Sequence, residues 1–288
     1  MSTYDEGIQA KLDSARCKLQ QLRAEVRTFA ETQHDKVEVI QTRDKSWHPK
    51  LSENFDTSPI EWSISIGEIA YHLRSSLDHL VYKLVCENGG KPTKQNTFPI
   101  VWEIDKVIHK VIYSEKGSEY VKQGREYIDE KALKGVGEQQ KAKILLNQGF
   151  VAQEGEYGKF DIRTDPSEFS HLAYLCNVDK HRHLNLVKLQ LVGLTNDYRR
   201  RENAANEKGA SRPALRNIDF PIEACFHYEK SDDRPSNLGW SVDDVLTDIK
   251  LAVGHAIKYV SGRSSQPFAY LTNAEKYHLR RRCQQRLL

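Results

Sequence analysis

The chain has 288 residues, 39% of them hydrophobic and 29% charged, so it is long enough to bury a sizeable core and has the composition of a water-soluble protein. Its 43 basic and 40 acidic residues give a formal net charge of +3, which says little about partners. The apolar runs are too short for a transmembrane helix, and the N-terminal residues lack the basic and apolar regions of a secretory signal.

The cysteine content points to a reducing compartment. The five cysteines are Cys17, Cys86, Cys176, Cys225 and Cys283. They are dispersed, their number is odd, and no two form a CxxC pair, which fits reduced thiols better than a disulfide framework or a zinc knuckle. We therefore expect a cytoplasmic protein that does not contact a membrane.

The first predicted element is a long helix over residues 5–33. Its apolar residues, spaced alternately by four and three, are Ile8, Leu12, Ala15, Leu19, Leu22, Val26 and Phe29. This heptad-like seam predicts packing on a partner helix, either within the chain or across a dimer. A short strand at 37–42 and a loop from 47 to about 62 are predicted to follow.

The rest of the chain is predicted to be mostly helical. The predicted core helices lie at about 64–86, 136–147, 166–186 and 241–260, with a further helix around 103–113 and a basic C-terminal helix at 272–288. The TFPI turn occupies 97–100, and residues 186–194 and 217–230 favour strands. Together these elements predict a single, mainly α domain over 1–288 that carries a small antiparallel β-sheet.

The second helix has an unusual polar face. At 100° per residue, its apolar stripe comprises Ile69, Leu73, Leu77, Leu80 and Leu84, and the opposite side carries Glu68, Tyr71, Ser75, Asp78, His79 and Tyr82. Arg74 lies on the shoulder, roughly 140° from His79. It is placed to form an ion pair with Asp78, four residues further on. A plain solvent-facing side would carry more Lys and Glu.

The segment from Arg74 to His79, RSSLDH, matches an Arg-x4-6-His pattern, and on it the chain resembles the HEPN superfamily (higher eukaryote and prokaryote nucleotide-binding domains). In particular, it is similar to a bacterial HEPN-like family of largely unknown function with LRSxLDH, TxFPI and NxDKHR segments. Their counterparts here lie in 66–84, 96–100 and 177–182, in the same order. The resemblance implies a HEPN-like helical bundle.

The same resemblance implies metal-independent endoribonuclease chemistry, with the motif residues of two protomers lining one groove. Cleavage by the 2′-hydroxyl needs a group that moves protons near neutral pH and a fixed cation beside the developing phosphorane charge. His79 would be the general acid/base, Arg74 the phosphate clamp and Asp78 an orienting carboxylate. A toxin or phage-defence effector is the expected setting.

Further residues are expected to contact the RNA or support the site. The predicted substrate-binding residues are His72, Ser75, Tyr71, Tyr82, Lys180, His181 and Arg182, and the supporting residues are Asp179 and His171. The DKHR segment is expected to line the same groove and contact phosphates. The alternative is that Asp179 and Arg182 fix the end of their helix against the core.

Other functions stay open at this stage. One is a catalytically inactive HEPN-like module that binds nucleotide, RNA or a protein partner, and another is a purely structural dimer in which Arg74, Asp78 and His79 tie the helix to a neighbour. A metal hydrolase is disfavoured, because the chain has no HxxxH or HExxH pair and His72 and His79 are about 10 Å apart along the helix axis. We expect no cofactor and no metal.

The expected partners are RNA and a second copy of the chain, joined through the second helix, with an antitoxin or another defence protein as a further candidate. Basic residues concentrate at 199–216 and 276–286. These segments are either a solvated loop and a solvated terminal helix or an electrostatic track for phosphates.

Overall fold

A computed structural model describes residues 3–33, 36–41, 47–51, 58–100, 128–147, 168–180, 187–191, 222–226 and 241–267. Over these residues the protein is mainly helical, as predicted. The helices are α1 (Thr3–Thr32), α2 (Ile60–Glu87), α3 (Glu138–Leu146), α4 (Glu168–Lys180) and α5 (Val242–Val260), with a π-helical turn at Ile128–Ala132. The strands are β1 (Val37–Gln41), β2 (Trp47–Leu51), β3 (Val187–Leu191) and β4 (Ile222–Phe226).

Most predicted helices lie close to their expected positions, and one predicted loop is wrong. Residues 47–51 form β2, which pairs antiparallel with β1 and places Pro49 opposite Val39. Strand β4 pairs antiparallel with β3, so the strands form two separate two-stranded pairs. The predicted helices at 103–113 and 272–288, and both basic segments, lie outside the described residues, as do residues 181–186.

Two helices end at glycines with positive φ. Gly89 (φ 75°) follows α2, and Gly90 N–H donates to the Val85 carbonyl at 2.9 Å. Gly262 (φ 75°) follows α5, where Arg263 N–H donates to the Lys258 carbonyl at 2.7 Å. These bonds satisfy carbonyls that a helix end otherwise leaves without a partner, and the left-handed turn favours glycine.

The chain divides into two compact units, each assembled from separated segments. The first comprises Met1–Leu19, Ile66–His183 and Val245–Leu288, and the second comprises Gln20–Ser65 and Leu184–Asp244. The single HEPN-like domain over 1–288 stays a prediction.

In the first unit, α2 supplies much of the core. The predicted apolar stripe is fully or almost fully buried at Ile69, Leu73, Leu77, Leu80 and Leu84. Ala70, Ser76 and Val81 of the same helix are buried as well. The buried surface of α2 is therefore wider than the single stripe that a helix lying on the protein surface would show.

Helices α1 and α2 run antiparallel within the first unit. The Cys86 thiol donates to the Tyr4 hydroxyl at 3.6 Å near one end, and Lys18 Nζ lies 2.6 Å from Glu68 Oε2 near the other. Between them, Lys83 Nζ lies 2.8 Å from Asp5 Oδ1 and 3.4 Å from Glu87 Oε1. The predicted partner of the N-terminal helix is thus found within the chain.

The second unit has its own buried residues. The Phe29 and Trp62 rings meet edge to face with centroids 5.3 Å apart, and Trp62 is buried. Arg23 forms an ion pair with Asp243, and the Ser58 hydroxyl donates to the Val187 carbonyl. These contacts join α1 to α2 and α5, and join the residues just before α2 to β3, within this unit.

Candidate functional site

Arg74 and Asp78 both bind one main-chain segment. Arg74 Nη2 donates to the Phe98 carbonyl at 2.6 Å, and Phe98 N–H donates to Asp78 Oδ1 at 2.8 Å. Arg74 Nε lies 3.5 Å from the same Asp78 oxygen, so the predicted pair four residues apart is present. The two motif side chains therefore form a fork that satisfies both polar groups of Phe98; we call it the Phe98 fork.

The segment held by the Phe98 fork is fixed from its other side by Asn96. The buried Asn96 amide donates to the Lys131, Ala132 and Lys134 carbonyls at 3.4, 3.3 and 2.9 Å. Its Oδ1 accepts from the Thr93 N–H at 2.8 Å. Every polar atom of this buried side chain is used, which is the condition under which a buried amide stabilises rather than destabilises a fold.

Phe98 itself joins two of the motif segments to a third element. Its ring is fully buried and lies 5.8 Å from the Phe169 ring of α4, the helix that leads into the DKHR segment. The LRSSLDH and NTFPI segments are thus joined directly, and NTFPI packs on α4.

His79 is held in one orientation by its own helix. Its Nδ1 lies 2.8 Å from the Ser75 carbonyl and 3.5 Å from the Ser75 hydroxyl. Because a carbonyl oxygen only accepts, Nδ1 carries the hydrogen, and in the neutral ring Nε2 is the proton acceptor. No hydrogen bond to Nε2 occurs within the described residues. The hydrogen bond therefore makes Nε2, rather than Nδ1, the nitrogen of this half-buried imidazole that is available to accept a proton when the ring is neutral.

The edge of the His79 ring faces glycine in α1. A Cβ built on Gly7 would lie 3.3 Å from His79 Cδ2 and 3.9 Å from Nε2. Gly7 was not among the predicted site residues. The seam of α1 was identified from its apolar residues, and a glycine carries no side chain by which such a pattern reveals a close approach.

Tyr71 and His72 belong to a second cluster on the α1–α2 pair. Tyr71 is 58% exposed, and Lys11 Nζ lies 5.3 Å from the centre of its ring. The His72 ring lies 5.9 Å from that of Tyr71, and its Nδ1 is buried without a hydrogen-bond partner in the part of the chain that the structure describes. Burial, followed by the charges of Lys11 and Lys18, lowers the pKa of His72.

The other predicted site residues whose side chains the structure describes lie outside both the Phe98 fork and the Tyr71–His72 cluster. The Tyr82 hydroxyl donates to the Thr93 carbonyl at 2.9 Å. His171 is buried in α4, and burial lowers its pKa while nearby Glu168 opposes the shift. Asp179 and Lys180 are the last-but-one and last residues of α4, but their side chains lie outside the described residues, as do His181 and Arg182.

The structure thus joins Arg74 and Asp78 around Phe98, while His79 faces Ser75 and Gly7. Besides Gly7, the sequence interpretation missed Asn96 and the Phe98 main chain, although both of these lie in the NTFPI segment that it singled out. Their roles come from hydrogen bonds to elements about 20 to 38 residues away, which no local spacing encodes.

Three further properties concern the whole described part of the chain. Within it, no group of three or more His, Cys, Asp and Glu side chains is arranged to hold a metal ion. None of its helices combines the length and the apolar character needed to cross a membrane. Within it, Cys17, Cys86, Cys176 and Cys225 form no disulfide bond.

Searches of family models, of curated proteins and of solved structures found no match to this chain.

Proposed function

We propose that the protein is a metal-independent endoribonuclease of HEPN type, a HEPN-like bundle acting in the cytoplasm as a homodimer and serving as a toxin or phage-defence effector. The observation that carries the proposal is the state of His79. Its Nδ1–H is donated to the Ser75 carbonyl, which leaves Nε2 as the proton acceptor of a half-buried imidazole.

In the proposed reaction, His79 Nε2 takes the proton of a ribose 2′-hydroxyl as the oxygen attacks the adjacent phosphorus. The P–O5′ bond breaks, the leaving 5′-oxygen takes up a proton from solvent water, and the protonated His79 returns its proton to the solvent. The products are a 2′,3′-cyclic phosphate and a 5′-hydroxyl, so no metal or cofactor enters the balance. Histidine suits this step because its unperturbed pKa lies near neutrality.

Arg74 is proposed to stabilise the charge on the phosphorane. Its Nη2 is committed to the Phe98 carbonyl and its Nε lies near Asp78, while the guanidinium offers five N–H donors in all. Anchoring on one edge fixes the cation in place, which favours electrostatic stabilisation because little reorganisation is needed when charge develops. The side chain is 23% exposed, which supports access from solvent.

The test is cleavage of total RNA with and without EDTA by the wild-type protein and a His79→Asn variant. The asparagine Nδ2 occupies nearly the place of His79 Nδ1 and keeps the bond to the Ser75 carbonyl, but the variant has no Nε2. We expect cleavage that survives EDTA and falls by about 100-fold or more in His79→Asn. His255→Asn, a similarly half-buried histidine in α5, is the matched control and should cleave normally.

Full cleavage by His79→Asn would refute the proposed mechanism. Cleavage lost with EDTA would instead favour metal-dependent chemistry. Circular dichroism and thermal unfolding of each variant establish that a lost activity does not reflect a lost fold.

A second candidate is favoured by the Phe98 fork. Because Arg74 and Asp78 satisfy both polar groups of Phe98, they support a non-catalytic HEPN-like module in which the motif holds the NTFPI segment. Such a module would bind RNA, nucleotide or a protein partner without cutting it. Retarded migration of intact RNA by both wild-type protein and His79→Asn would favour this candidate.

A further inference from the structure

The contact between α1 and His79 depends on the absence of a side chain at position 7. A Cβ at Gly7 would lie 3.3 Å from His79 Cδ2, closer than ordinary van der Waals contact, and 3.9 Å from Nε2. An alanine at position 7 would therefore press on one edge of the imidazole and cover part of its free nitrogen.

The imidazole has little room to move away from such a side chain. On its other edge Nδ1 is bound to the Ser75 carbonyl at 2.8 Å. Turning the ring away from α1 would lengthen or break this bond. The ring is thus held between a main-chain carbonyl of α2 and the bare backbone of α1.

The position of α1 itself is fixed by contacts on both sides of Gly7. Asp5 Oδ1 lies 2.8 Å from Lys83 Nζ and 3.6 Å from Arg263 Nη2, and the Tyr4 hydroxyl accepts from the Cys86 thiol. Ile8, next to Gly7, is buried. Moving α1 away from α2 to accommodate a larger residue would therefore break these contacts. A side chain at position 7 would instead displace the His79 ring.

We propose that Gly7 is a positioning residue for His79: the missing side chain lets the imidazole lie against α1 with Nε2 uncovered and Nδ1 bound to Ser75. This inference rests on the proposed function for its effect on catalysis. Through the contact between Gly7 and His79, α1 helps to set the position of the imidazole, although α1 itself contains no motif residue.

The experiment compares Gly7→Ala with Gly254→Ala. Gly254 lies within α5, and a Cβ there would meet nothing within 4 Å, so this replacement reports the helix-propensity gain alone. We expect Gly254→Ala to raise Tm by about 2–4 °C and to leave cleavage unchanged. Gly7→Ala should raise Tm by less and reduce kcat for RNA cleavage by about three- to tenfold, because small misplacements of a reacting group are costly.

A spectroscopic measurement separates this inference from the proposed function. The His79 Hδ2–Cδ2 cross-peak in a ¹H–¹³C spectrum, assigned by its loss in His79→Asn, should shift in Gly7→Ala and stay in place in Gly254→Ala. Unchanged cleavage or an unmoved cross-peak in Gly7→Ala would overturn the inference. If the wild-type protein cuts no RNA, the proposed function fails, and the cross-peak alone decides whether Gly7 positions the imidazole.

Discussion

Asp78 uses one carboxylate oxygen for two purposes. Oδ1 accepts from the Phe98 N–H at 2.8 Å and lies 3.5 Å from Arg74 Nε. The main-chain N–H has a fixed direction, whereas the guanidinium can adjust along its flexible stem. Removal of this oxygen therefore affects the backbone of the NTFPI segment before it affects Arg74.

We expect Asp78→Asn and Asp78→Ala to differ in stability. The asparagine oxygen still accepts from the Phe98 N–H, so we expect Asp78→Asn to change the free energy of unfolding by about 1 kcal/mol or less. Alanine leaves a part-buried N–H without its partner, which costs about 1–3 kcal/mol. Urea unfolding curves measure both values, and equal losses would contradict the assigned role of Oδ1.

Part of the candidate site is predictable from residue spacing. The pairing of Arg74 with Asp78 follows from their separation of four residues, and the bond from His79 to Ser75 is likewise confined to one helical turn. The Phe98 carbonyl, by contrast, is 24 residues from Arg74 in the chain. The periodicity of α2 does not indicate which distant segment will pack beside Arg74. The Phe98 carbonyl is therefore identified as its partner only from the folded structure.

At the scale of elements, ion pairs join α1 and α2. Lys83 is buried and bridges Asp5 of α1 with Glu87 of its own helix. A buried ammonium loses hydration and is stable only while its carboxylate partners are present. Arg263, just after α5, adds a longer contact to Asp5.

We expect Lys83→Met to lower the free energy of unfolding by about 2 kcal/mol, because Asp5 loses its closest cation in a largely buried place. Lys141→Met is the matched control, since Lys141 pairs with a Glu138 side chain that is 88% exposed. Lys141→Met should change the free energy of unfolding by no more than about 0.5 kcal/mol. Denaturant unfolding measures the free energy of unfolding of both variants. Similar decreases would show that the buried Lys83–Asp5 pair contributes no more to stability than an exposed ion pair.

The predictability of elements depends on how strongly apolar residues repeat. The five leucine and isoleucine positions of the α2 stripe predicted both the helix and its buried face. The apolar repeat at 241–260 likewise predicted α5. Strand β2 was missed because WHPKL contains proline and does not alternate cleanly. Among the described strands β2 pairs only with β1, and an edge strand is where a proline, which has no N–H, is accommodated in sheets.

At the scale of the whole molecule, one buried and two half-buried histidines are expected to make the stability of the first unit sensitive to acid. Burial is the main cause that lowers the pKa of His72, His171 and His255, all of which belong to that unit. When the folded pKa lies below the unfolded value of 6.5, the unfolded chain binds more protons over that interval. The stability contributed by the neutral histidines is thus present above pH 6.5 and is lost as pH falls through the folded pKa values.

We therefore expect the free energy of unfolding to decrease as the pH is lowered from 7.5 to about 5. His171→Gln should flatten this dependence, because glutamine does not titrate and His171 is the most deeply buried of the three. Amide hydrogen exchange in α2 and α4, followed at each pH, measures the opening of the first unit. A pH dependence that is identical in His171→Gln and the wild-type protein would contradict the assignment.

The Phe98 fork also has a consequence for genetics. Substitutions that remove the Arg74 or Asp78 hydrogen bonds, or the buried Phe98 ring, will reduce the amount of folded protein. Under the proposed function, a screen that records only loss of toxicity will therefore recover them together with variants that lose only the cleavage step. The two classes separate when abundance is scored beside activity. Under the proposed function, His79→Asn keeps the local hydrogen bond and should accumulate to normal levels without cleaving RNA. Destabilising variants of Arg74, Asp78 and Phe98 should instead be depleted from the soluble pool.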